Sequence, residues 1–543
     1  MAREERLGPA ELSSARAALA AARGKRRLEI LLEARSPEAL VRALPAEELY
    51  FTIREVGIAD AAPLVPLASV EQFRAFLDLD AWHGDRLDPR RALTWLRAAR
   101  SGSQQDARGE ARWRRKLSGL DREVLFLVLR ESLVLHDLSE TPDPEVHGDR
   151  ALRTPDGSFL VEFLVEGAEY SALRGILDDL YAEDPFQASR LLSSLRWDLP
   201  SELEESALRW RTGRLADLGI PSPGEAASWF ARSPRSPAAH AGPPHGSPGF
   251  FLAALAAGTL LDRGMEELPG GDLPGVQVQI ASAANAVLVA DQVDLADPEA
   301  IRTAFQAARA LLEMGLEARL RAEGRPLDGG EAAEVLARIP VKRIFQEGFG
   351  RLLDLRSRAE RMVGAGSAGT KEAPLLDAPL GEALFALTVR RPRYFPGLET
   401  RREDWATPSA AAFAPRPFLS TAELDRTAAA LDLAEGLLQM ARTLGLASAA
   451  PGAPAHRLTA LYLTALAGER LGRGFAPEPL AASEVPAAVA ALATVDDQRL
   501  AAAGAPGSLL LELARARAAE LQALAEAGEA SPAKLLDLLV RSP

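Results

Sequence analysis

The sequence predicts a mainly α-helical protein of many helices, with at most one small β-hairpin, and three observations carry this. A capping side chain followed by proline occurs at Ser36-Pro37, Asp88-Pro89, Asp184-Pro185, Ser222-Pro223, Asp297-Pro298 and Ser531-Pro532. The side-chain oxygen accepts an orphan N–H of the first turn, and proline at the first helical position loses nothing by lacking one. Apolar residues then recur at helical spacing, as in SPEALVRAL, DPRRALTWL and DPEAIRTAFQAARALLEMGL. Against these, only one stretch alternates as a strand does.

In chain order, EQFRAFLDLDAW (71–82) is the end of an amphipathic helix. His83-Gly84-Asp85 is the turn, with glycine free to take positive φ, and Asp88 caps the next helix. Asp78, Asp80, His83, Asp85 and Asp88 together invite a metal. Counted from Asp78, however, the calcium-loop positions that need glycine and a carboxylate hold His83 and Pro89. A solvated helix junction is expected.

ALRTPDGSFLVEFLVEG (151–167) carries the β signal. Pro155-Asp156-Gly157 supplies a turn, and Phe159, Val161, Phe163 and Val165 alternate with Leu160, Glu162 and Leu164. A small hairpin near 151–166 is expected; a helix beginning after Gly157 is the other reading. LPSELEESALRWRTGRLADLGIP (199–221) follows as a helix, with Ser201 and Glu204 as a capping box. Gly219 sits at the left-handed cap, Ile220 reaches back to Leu215, and Pro221 prevents continuation. Its charges all have structural roles, so it is scaffold. Trp82 and Trp95 are thirteen residues apart, as are Trp197 and Trp210, with an offset of 115. That suggests either a duplicated helical unit or chance placement among seven Trp.

Five prolines in ARSPRSPAAHAGPPHGSP (231–248) mark a linker. The expected organisation is a helical repeat-like domain over 1–230, a Pro/Ser/Gly-rich linker over 231–249 and a helical domain over 250–390. An irregular connector over 391–419 precedes a helical C-terminal region over 420–543, opened by Ser420 and Glu423 as another capping box.

The 63 Lys and Arg face 76 Asp and Glu, a net charge of −13, so the average surface repels nucleic acid and anionic lipid. The absence of cysteine excludes disulfides, thiolate metal sites and cysteine nucleophiles. The N-terminus lacks the apolar core of a signal peptide. The longest apolar run, FFLAALAAGTLL (250–261), is shorter than the roughly twenty residues of a membrane span. A cytoplasmic protein with no membrane insertion and no nucleic-acid partner is expected.

Three motifs resemble chemistry. GAGSAG (364–369) places Gly364, Gly366 and Gly369 as in a dinucleotide fingerprint, but a helical pattern precedes it and proline follows, so a loop is expected. ARWRRKL (111–117) is basic around a Trp; it is taken as a basic surface before the buried helix REVLFLVLRESLVLH (122–136). His136-Asp137 in LVLHDLSE (133–140) looks like the doublet of HD-type metal phosphohydrolases, whose histidine and aspartate bind a divalent metal. His83 would be the upstream histidine, and Asp143, Asp149 or Asp179 the downstream carboxylate. The plainer reading is a helix-terminal histidine stabilised by the dipole, beside solvated acids.

Residues 44–82, 195–231 and 416–424 (LPAEELYFTIREVGIADAAPLVPLASVEQFRAFLDLDAW, LRWDLPSELEESALRWRTGRLADLGIPSPGEAASWFA and RPFLSTAEL) resemble an uncharacterised bacterial family of unknown function. The resemblance spans most of the chain and brings no assigned activity, cofactor or catalytic residue. The first stretch also resembles the helical repeats of magnesium-transporter N-terminal domains and flagellar switch proteins, which implies a superhelical scaffold in the N-terminal region. The expected function is therefore a non-catalytic scaffold or adaptor for protein partners, with no cofactor. The alternative is an HD-like metal-dependent phosphohydrolase, with His136 and Asp137 catalytic and His83, His136 and Asp137 as metal ligands.

Overall fold

Proline placement decides where helices begin. In the computed structural model, helices Pro37–Ala43, Pro89–Ser101, Pro185–Trp197, Pro223–Trp229 and Pro298–Ala322 each open on the proline of a capping pair. Asp88 Oδ1 accepts from the Arg90 and Arg91 amides, Asp184 Oδ1 from Gln187, and Asp297 Oδ1 from Glu299 and Ala300. Ser222 and Glu225 form a full capping box. Ser36 makes no side-chain cap bond, and Ser531-Pro532 lies outside the described residues. The structure describes 24–101, 107–146, 150–232, 258–295, 297–364, 375–406, 412–446, 457–527 and 538–540, with a few positions before 24.

Of the described residues 69% are helical, and the chain divides into two compact units. The first comprises Met1–Phe230, Ser236–Ala308 and Ala333–Lys342; the second comprises Ala231–Arg235, Arg309–Ala332 and Arg343–Pro543.

From residue 24 onward the first unit contains α1 (Lys25–Leu32), α2 (Pro37–Ala43), α3 (Ala46–Val56) and α4 (Val70–Asp80). A minimal hairpin, β1 (Trp82–His83) and β2 (Arg86–Leu87), turns on Gly84 at φ 64° and leads into α5 (Pro89–Ser101). Then come α6 (Ala107–Ser118) and α7 (Arg122–Ser132). Tyr50, Phe73, Phe76 and Trp95 are fully buried where α3, α4 and α5 meet, with the Phe76 and Trp95 rings 5.0 Å apart.

A three-stranded antiparallel sheet follows, of order β3 (Leu133–Asp137), β5 (Phe159–Phe163), β4 (Ala151–Arg153). The β4–β5 pair is the expected hairpin, with Gly157 at φ 73° and Asp156 accepting from Thr154 and Ser158. The expectation that 122–136 is one helix fails: α7 stops at Ser132, and Leu133–Asp137 pairs along β5, His136 opposite Leu160. The reason is the second edge of β5, whose largely buried backbone groups need partners that the short β4 cannot supply.

Helices α8 (Gly167–Glu183), α9 (Pro185–Trp197), α10 (Pro200–Asp217), α11 (Pro223–Trp229), α12 (Leu260–Glu266) and α13 (Leu273–Ala290) complete this part. The expected Ser201–Glu204 box is not formed: Pro200 already occupies the first turn, Leu199 is the cap residue, and no side chain caps. The other end is as expected. Gly219 takes φ 77°, its N–H reaches Ala216 O, and the Ile220 N–H reaches Leu215 O at 2.9 Å. Helix α13 has a mean hydropathy of 1.4 over eighteen residues, enough by length and composition to cross a membrane. Half of it is buried, it packs on α11, and its Asn285 donates to Gly219 O. A search for uninterrupted apolar runs passes it over because Gln277, Gln279, Ser282 and Asn285 break it.

In the second unit, Gly315 and Gly348 let two helix segments touch through backbone: a Cβ on Gly315 would strike Ile344 O, and one on Gly348 would strike Leu311 O. Helix Thr421–Thr443 is capped by Ser420, but the Glu423 carboxylate takes the Leu419 N–H and Arg416 instead of closing the box.

Candidate functional site

The acids of the opening helix junction are dispersed, most of them to structural work. Residues two apart on α4 face away from each other, and Asp78 and Asp80 are 2% and 3% exposed. Asp80 accepts from Trp95 Nε1 at 2.6 Å, has the Tyr50 hydroxyl at 3.1 Å, and lies 3.6 Å from Arg54. That hydroxyl also lies 2.8 Å from Leu295 O, and burial, then Asp80, push its pKa far up. Asp78 accepts both arms of Arg214; burial nonetheless leaves its carboxyl above the ordinary range. His83 and Asp85 are exposed on the hairpin, and Asp88 is the helix cap. The expected solvated junction thus becomes, at its two central acids, a buried polar network.

The HD-type residues occupy separate environments. His136 and Asp137 are neighbours on β3, and successive strand residues point to opposite faces. His136 Nε2 is 3.5 Å from Glu162 Oε2. Asp137 accepts from the Ser139 amide and hydroxyl and from Arg196, contacts that hold its carboxyl below the usual range. Asp179 accepts from Arg100 Nε and Trp113 Nε1, Asp143 is exposed on a bend, and Asp149 lies outside the described residues. Among the described residues no group of three or more His, Asp or Glu could hold a metal. Of GAGSAG, Gly364 ends a helix and 365–369 lie outside the described residues.

What sequence reasoning missed is a surface. Phe186, Trp197, Leu199 and Trp210 are 73%, 70%, 60% and 60% exposed. They occupy the start of α9, the α9–α10 junction and the flank of α10. Helix α10 turns Ala207, Arg211, Arg214 and Leu215 inward, at spacings of four, three and one. Trp210, three residues after Ala207 and four before Arg214, shares the spacing of that stripe and yet is exposed. The two Trp pairs are not equivalent: Trp82 and Trp95 are 6% and 0% exposed.

Over residues 4–537 the chain matches the model of a family of unknown function (DUF6178), and it belongs to that family. No curated protein and no solved structure matches it.

Proposed function

We propose that this chain is a non-catalytic cytoplasmic scaffold or adaptor that takes a protein partner on the α9–α10 surface. The observation that carries this is the exposure of Trp197 and Trp210, together with Phe186 and Leu199, along the successive helices α9 and α10. Large exposed apolar groups mark interaction sites when they cluster, and Trp is enriched among the residues that dominate binding energy. Asp198, Glu202 and Glu205 are exposed on the same stretch, and so are Arg190, Arg196 and Arg209. The partner is therefore a protein segment with apolar anchors and a rim of both charge signs.

The test compares the full chain with a Trp197→Ser/Trp210→Ser variant as bait in extracts of the native host. A partner that cross-links to α9–α10 through an apolar segment and is lost by the variant supports the proposal. Equal capture by both chains would overturn it. So would a concentration-dependent dimer broken by the same substitutions, which would assign the surface to a second copy. The enzymatic alternative has its own assay. Stoichiometric manganese, iron or zinc and phosphodiester hydrolysis that both vanish in His136→Ala would replace the scaffold reading.

A further inference from the structure

Between α2, α4 and α6 lies a cavity of about 180 Å³, lined by Arg42, Ser69, Glu71, Arg112, Arg115 and Lys116. Its charges do not balance. Lys116 is 2% exposed, and its one hydrogen-bond acceptor among the described residues is Pro66 O at 2.8 Å. An ammonium carries three donors. Arg112 gives one arm to Glu38 at 3.0 Å, while its buried Nε has no acceptor among the described residues. Glu38 is shared with Arg42, at 2.7 Å. Arg115 spends Nε on Ala111 O in its own helix. Glu71 is engaged by its own backbone N–H and then the Ser69 hydroxyl, which hold its carboxyl below the ordinary range. Cations thus outnumber carboxylates around the void, with Arg42, Arg112, Arg115 and Lys116 against Glu38 and Glu71.

We propose that this cavity binds a phosphate group as its dianion, free or on a small phosphomonoester, with Lys116, Arg112 and Arg115 as its ligands. Buried charge without a partner is costly, and a dianion cancels the excess. The donors left over, on Lys116 and at Arg112 Nε, are the kind that strong charge-assisted bonds to phosphate oxygens require. At roughly 30 Å³ per water, the volume admits a phosphate and a few waters. The positive end of α4 at Ser69 and Val70 adds to the same field. Lys116 is pushed down to about 7 by burial, then by Arg42 and Arg112. Arg42 and Glu38 face it from α2, Glu71 from α4, and Arg112 and Arg115 from its own helix; the 3-10 turn Ala62–Leu67 brings no charge.

The experiment is calorimetric titration of the full chain with inorganic phosphate, with chloride at matched ionic strength as control. Saturable binding of phosphate and not of chloride is expected. Arg115→Gln, an exposed position that should not disturb folding, should weaken it at least about fivefold, and Lys116→Met should abolish it. From about pH 8 to 9.5 phosphate no longer changes its charge, but binding must restore the Lys116 proton. Affinity should then fall by up to roughly tenfold per pH unit. No binding, or binding unchanged in both variants, would overturn the proposal. Capture by phosphatidate-containing vesicles without any response to free phosphate would also overturn it.

Discussion

From 136 positions further along the chain, Arg214 closes a two-pronged ion pair on Asp78, Nε at 2.6 Å and Nη2 at 2.9 Å. The same guanidinium reaches Asp121 at 2.7 Å. Arg211 donates to the Asp78 carbonyl at 2.8 Å and lies 5.1 Å over the Trp82 ring. Helix α10 is thus fastened to the end of α4 mainly by arginines, since only Ala207 and Leu215 of α10 are buried. That division of labour leaves its outer flank open for Trp210.

Asp78→Asn tests the fastening. Removing one charge of a buried pair leaves the other uncompensated, at about 3–5 kcal/mol for fully buried cases. Arg214 is 28% exposed and keeps Asp121, so a smaller loss, about 1–2 kcal/mol, is expected in urea unfolding. A loss below about 0.5 kcal/mol would mean that water replaces the carboxylate without penalty.

Lys116 makes stability depend on pH. Its folded value, about 7, lies below the ordinary 10.5. Between those values the unfolded chain holds a proton that the native chain lacks, so stability rises with pH across that window. The slope is at most roughly 1.4 kcal/mol per pH unit. Below about 7 both states are protonated and the slope vanishes. Denaturant unfolding at neutral and alkaline pH, in phosphate-free buffer, should show this rise, and Lys116→Met should flatten it.

Local chemistry was legible where it acts through the backbone nearby. Pro after Asp or Ser located five helix starts, Gly84, Gly157 and Gly219 sit at positive φ as their turns require, and the β4–β5 hairpin follows from its alternation. The third strand was not legible. Nothing within LVLHD distinguishes a helix end from a strand until β5 is beside it, since pairing is a long-range property. Charged residues misled for a related reason. Asp78, Asp80, Arg211 and Lys116 have the sequence signature of solvated groups, and only tertiary partners reveal them as buried.

Gly219→Val addresses the cap of α10. Gly219 lies at φ 77°, a region β-branched residues resist. A loss of about 1–2 kcal/mol is expected. Because Gly219 O also accepts from Asn285, hydrogen exchange at the Ile220 amide should rise in the variant as well. Unchanged stability and exchange would remove Gly219 from this role.

The two tryptophan pairs should separate in one set of measurements. Trp95 is fully buried between Tyr50 and Phe76 and donates Nε1 to Asp80 at 2.6 Å. Trp95→Ala removes an aromatic core residue and the Asp80 donor together, so a loss of about 3–5 kcal/mol is expected. Trp210 is 60% exposed, and Trp210→Ser should change stability by less than about 0.5 kcal/mol. Iodide, a charged quencher confined to water, should reach Trp197 and Trp210 but not Trp82 or Trp95, so the quenchable fraction should drop in Trp197→Ser/Trp210→Ser. If that fraction is unchanged, or if Trp210→Ser destabilises as Trp95→Ala does, then Trp210 is core. In that case the α9–α10 surface is closed, and a partner must dock elsewhere.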